Sequence, residues 1–174
     1  MNPDPMILLA LDQLASGETK IPLAIEYARM MDARVVLLHV LPPRGLDPLA
    51  VLPTEAGARV YLDTVAAQVE AAGVPVAKVV RRGSPARTIV DEARTIGARL
   101  IIMGSNVHSR LRTALGASVA DQVGRVATCP VLLVQPGATV GTCRGTALRY
   151  RWTLRRLACG GIAGSRYARC HSMR

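Results

Sequence analysis

Five short runs of branched apolar residues alternate with stretches whose apolar residues recur every three or four positions, and no other feature of the chain narrows its fold as much. The runs are Met6–Leu11, Arg34–Val40, Val76–Val80, Leu100–Met103 and Val131–Gln135. A run apolar at both odd and even positions suits a strand covered on both faces. Between them, Ile21, Ala24, Ile25, Ala28 and Met31 predict a helix over Gly17–Asp32, and Val60, Thr64, Ala67 and Ala71 a second over Glu55–Ala72, ended by Gly73. Ser84 and Pro85 open a third, with Ile89, Ala93 and Ile96 inward and Gly97 as its stop. Val119, Val123 and Val126 mark a fourth. Strand and helix alternating in this way give an α/β domain: a five-stranded parallel sheet wound on both sides by right-handed crossovers.

The stretch Arg99–Val119 passes from the fourth strand through a polar loop into the fourth helix. The carboxyl end of a strand and the amino end of the next helix meet at one rim, where free N–H groups and the helix dipole favour an anion. That rim is the expected phosphate site.

Charge has to be mapped before it is interpreted. The formal net charge is +10, yet eight of the 22 basic residues and none of the twelve acids lie in residues 137–174, which leaves +2 for residues 1–136. A near-neutral body gives no support to nucleic-acid binding; only the tail does. Its segment Leu148–Arg155 alternates apolar with mostly basic residues, which suits an isolated strand-like ribbon or a basic arm. The absence of any acid instead suits a disordered or adventitious appendage. Three of the four cysteines also lie there, without the paired spacing of a zinc or redox motif. Cys129 reads as a small core filler and His39 as a satisfied core or rim histidine, since no motif sets a nucleophile or carboxylate beside it.

The core must be Val, Leu, Ile and Ala, because the chain has no Phe and one Trp. No apolar run approaches the roughly 20 residues that span a bilayer, and Met1-Asn-Pro-Asp-Pro carries no signal core, so a cytoplasmic protein is expected. The last strand is uncharged and is expected at a sheet edge, where its backbone invites a partner strand and a homodimer through residues 131–135.

Met6–Asp12, Val35–Val40, Gly83-Ser-Pro-Ala86, Leu100–Ser105, Leu115–Val123 and Cys129–Val134 occur in an order that resembles the universal stress protein (UspA-like) family over residues 5–136. The resemblance implies a domain at 5–136, with 137–174 outside it. It also implies a Rossmann-like sheet of the adenine nucleotide alpha hydrolase-like kind, in strand order 3-2-1-4-5, dimers through the last strand, and in one branch ATP held between strands 1 and 4. That branch carries Gly-x-x-Gly, nine residues, then Gly-Ser or Gly-Thr. Here the positions are Gly104, Val107, Ala117 and Ser118, so two of three glycines are replaced, although Gly116 stands one place early. A β-branched Val107 in a turn that needs positive φ costs about 1–3 kcal/mol.

The implied nucleotide contacts are Leu11 and Asp12 after the first strand, Val40 and Met103 around adenine and ribose, and Gly104, Val107, Ala117, Ser118, Val119 and Ala120 at the phosphates, with Mg2+ reached through water from Asp12. His108, Arg110 and Arg112 add positive charge. Each has an ordinary alternative: Asp12 as the cap of the adjoining segment, Ser118 as a helix N-cap, the cations as a solvated surface. No metal-binding cluster, nucleophile elbow or P-loop is present and no paired carboxylates lie near Gly104, so no catalytic residue is assigned. The expected function is a dimeric stress-response binding protein acting on a protein partner. Its alternatives are a weak ATPase or other nucleotide-using enzyme, and a nucleic-acid binder working through the tail.

Overall fold

The computed structural model describes residues 4–12, 17–43, 54–104 and 118–134, together with the backbone of 151–152 and 166–167. Val107 and Ala117, the loop cations His108, Arg110 and Arg112, Gln135 and most of the tail lie outside these residues. In chain order the elements are β1 (Met6–Leu11), α1 (Gly17–Met31), β2 (Arg34–Leu41), α2 (Glu55–Ala71), β3 (Val76–Arg82), α3 (Pro85–Thr95), β4 (Leu100–Gly104), α4 (Val119–Val126) and β5 (Val131–Val134). The five strands form one parallel sheet in the order β3-β2-β1-β4-β5, so the expected topology is found.

The sheet is buried on both faces because its central strands are apolar at every position. Ile7, Leu9, Leu37 and Ile102 point to one side, where α1 and α2 cover them; Leu8, Leu38, Ile101 and Val131 point to the other, under α3 and α4. The helix ends obey local chemistry. Thr54 caps α2 by accepting from the Gly57 amide at 3.1 Å, and Gly73 and Gly97 follow α2 and α3 with φ of +75° and +63°, the left-handed region open to glycine.

Three expectations are corrected. The inner face of α2 is Ala58, Leu62, Val65, Ala66 and Val69, while Val60 is 66% exposed and Thr64, Ala67 and Ala71 face water. The stripe is rotated because Leu62, Val65 and Val69 together bury more hydrocarbon than the face chosen from spacing. Val126, one of the residues that mark the fourth helix, is half exposed near the end of α4. Ser84 precedes α3 in extended conformation but its side chain makes no capping bond, and β3 runs two residues further than predicted.

Beyond the sheet, Arg151–Trp152 (β6) pairs antiparallel with Arg166–Tyr167 (β7), and the backbone of β6 lies beside β5, the outermost strand on that side.

Candidate functional site

All five strands are parallel, so β1 and β4 end at the same rim, as neighbours. Their last paired residues are Ala10 and Met103, after which the strands reach Asp12 and Gly104. Strand order reverses at this pair: the chain runs outward through β2 and β3 on one side and through β4 and β5 on the other. A crevice at such a switch point is where open α/β sheets hold ligands.

The rim holds a residue that sequence patterning overlooked. Lys20, on the first turns of α1, is 1% exposed, and its Nζ donates to Asp12 Oδ1 at 2.6 Å. The same ammonium lies against Gly104: a Cβ placed at that residue would come within 3.1 Å of Nζ. The glycine is therefore explained by side-chain packing as well as by any ligand. Lys20, Ala24 and Ala28 share one helix face at spacings of four, but that pattern by itself does not separate a buried lysine from a solvent-facing one.

Two more side chains secure the end of β1. His39, 6% exposed on β2, places Nδ1 2.9 Å from the Leu11 carbonyl oxygen, and Tyr61 on α2 donates its hydroxyl to the Asp12 carbonyl at 3.3 Å. The two rings meet edge to face at 6.2 Å. Burial pushes the Tyr61 phenol above its ordinary titration range and the nearby Asp12 charge pushes it further, so the hydroxyl stays a donor at neutral pH. His39 is the satisfied rim histidine that its sequence context indicated. Tyr61 had no sequence signal, because its partner is 49 residues away.

The remaining expected residues divide by depth. Leu11 and Met103 are buried in the two opposite core layers, and Val40 is half-buried. Ser118, Val119 and Ala120 open α4. The Ser118 hydroxyl accepts from the Asp121 amide at 3.1 Å and donates to the Asp121 carboxylate at 2.8 Å, so it acts as a helix cap, and a phosphate there would compete with that carboxylate. Among the described residues no group of three metal-ligating side chains exists.

A hollow of about 300 Å³ lies elsewhere, between α2 and β3, lined by Leu62, Val79 and Val80 with Arg59, Lys78 and Arg81. Its cations are each engaged, with Glu55, Asp63 and Glu92.

A model of the universal stress protein family matches residues 6–135. The chain belongs to that family. Among universal stress proteins it is 25% identical to YxiE of Bacillus subtilis over 145 residues, covering 74% of this chain and 97% of that one. A universal stress protein solved in complex with cAMP superposes with a TM-score of 0.61 at 21% identity, over 77% of this chain and 98% of the other. One from Archaeoglobus fulgidus, in complex with dAMP, gives 0.57 at 21% identity, over 76% and 98%. At such identities these two structures establish the universal stress protein fold. No helix among the described residues is long and apolar enough to cross a membrane.

Proposed function

We propose that this universal stress protein is a cytoplasmic stress-response binding protein, not an enzyme, whose contacts with a protein partner are biased by an adenine nucleotide held at the ends of β1 and β4. The observation that carries the reading is the meeting of Asp12, Lys20 and Gly104 where strand order reverses. The cAMP and dAMP held by two structural neighbours support an adenine ligand. In this reading Asp12 and the edges of Leu11, Val40 and Met103 meet the nucleoside. Gly104 and the amides of Val119 and Ala120 meet phosphate, with Ser118 joining once Asp121 yields, and Val107 and Ala117 flank them in the loop. ATP, with its three phosphates, is the ligand the family resemblance implies.

The residues present fit a nucleotide better than they fit Mg2+. Asp12, the carboxylate that would hold the metal, already carries the Lys20 ammonium, and a dication beside it would be repelled. Among the described residues hydrolysis finds no base to position water: His39 spends one ring nitrogen on a carbonyl and Asp12 is ion-paired. The nucleotide acts by population shift, stabilising whichever rim arrangement it binds better. Dimerisation uses the edge of β5.

A second reading is a dimeric interaction module that has lost the ligand, favoured by Val107 and Ala117 in place of glycines. Nucleotide content after acid precipitation, read by mass for the native chain and for Val107→Gly, separates the two. The first reading expects nucleotide in both, with affinity raised about tenfold or more by the glycine as turn strain is relieved. Nucleotide in Val107→Gly alone selects the second. Nucleotide in neither defeats both the site and its degraded form.

A further inference from the structure

Lys20 sits where its helix should present hydrocarbon. Its neighbours on the inward side of α1 are Ile21, Ala24 and Ala28, all buried. An ammonium taken from water is costly unless an anion and further acceptors replace the solvent. Here the replacement is minimal: Asp12 Oδ1, at 2.6 Å, is its one acceptor among the described residues, though an ammonium has three N–H donors. The pair is also asymmetric. The lysine is 1% exposed and the aspartate side chain 37%, so the cation is sealed from water while the carboxylate is partly open to it. On the β4 side, room for the ammonium exists because Gly104 has no side chain.

We infer that Lys20 is a built-in counter-ion that makes this rim accept phosphate-bearing ligands. It holds Asp12 and cancels its charge, removing the repulsion that a bare carboxylate at the end of β1 would exert on a phosphate over Gly104. The inference rests on the nucleotide reading proposed for this rim and names the residue that decides between nucleotide and nucleoside. Asp12 directly follows β1 and Gly104 ends β4, neighbouring strands that run about 5 Å apart. A phosphate over Gly104 therefore feels the Asp12 charge well within the screening length of about 8 Å at physiological salt. Being covered, Lys20 does not touch the ligand. It is a positioning residue that acts through Asp12 and through its field. A merely structural lysine, tying α1 to the rim, would affect phosphorylated and unphosphorylated ligands alike.

Calorimetric titration of the full chain with AMP and with adenosine distinguishes these roles, read as the ratio of the two affinities. Lys20→Met keeps the length of the side chain and removes its charge; it is expected to lower the AMP-to-adenosine ratio about tenfold or more. Lys20→Met combined with Asp12→Asn is expected to restore the ratio to within about threefold of the native value. Asp12→Asn alone, leaving the ammonium uncompensated, is expected to raise it. Partial unfolding of a variant scales both apparent affinities by the same fraction and leaves the ratio intact. Equal loss of AMP and adenosine in Lys20→Met, or no recovery in the double variant, overturns the counter-ion role while the nucleotide reading stands. A native chain that binds neither probe overturns the nucleotide reading, and the role of Lys20 with it.

Discussion

At the scale of single residues, the rim is organised by one buried charge and the contacts around it. Removing either partner of the Asp12–Lys20 pair breaks the same 2.6 Å bond, but the consequences differ because only one partner is sealed from water. Asp12→Ala leaves an ammonium buried and without its anion, at a cost of about 3 kcal/mol or more. Lys20→Met leaves a carboxylate that solvent reaches, and costs less than about 1 kcal/mol. Urea unfolding of both variants checks the asymmetry; equal losses would mean that water reaches the lysine as readily as the aspartate. The strand-end positions of Asp12 and Gly104 were legible because such residues stand out against apolar runs. Lys20 was not: spacing alone does not tell a helix position that faces solvent from one that faces a strand end.

At the scale of elements, strands were easier to read than helix faces. A strand apolar at every position is buried whichever way it turns, so β1 and β4 needed no knowledge of their surroundings. A helix face depends on what it meets, and α2, rich in small residues all round, offered two plausible stripes. The larger aliphatics Leu62, Val65 and Val69 took the inner one. The edge of the sheet raises a separate question, because β6 lies beside β5, the strand through which dimerisation is proposed. A tethered strand competes at an effective concentration of order millimolar. Truncation after Pro136 is therefore expected to tighten self-association about tenfold or more, measured by sedimentation velocity across a concentration series. Unchanged association would separate β6 from the dimer edge.

At the scale of the whole molecule, charge and core are segregated. Residues 1–136 carry +2 and hold the sheet, whereas residues 137–174 carry eight arginines and no acid. Binding to a generic oligonucleotide is accordingly expected only from the full chain, to fall steeply as salt rises, and to vanish on truncation after Pro136, as fluorescence anisotropy at two salt concentrations would register. Salt-independent binding by the truncated chain would place a nucleic-acid surface on the body. The order of apolar runs, the glycine stops and the residues at strand ends determined the fold class, the strand count and the rim that Asp12 and Gly104 share, because local periodicity and chain direction suffice for each. Only the tertiary structure decided that a lysine eight residues after Asp12 turns inward to pair with it beneath Gly104, and that Tyr61 reaches the same strand end from 49 residues away. Those contacts depend on how helices lie across the sheet, and that placement is settled by competition among packing faces rather than by any one stretch of chain.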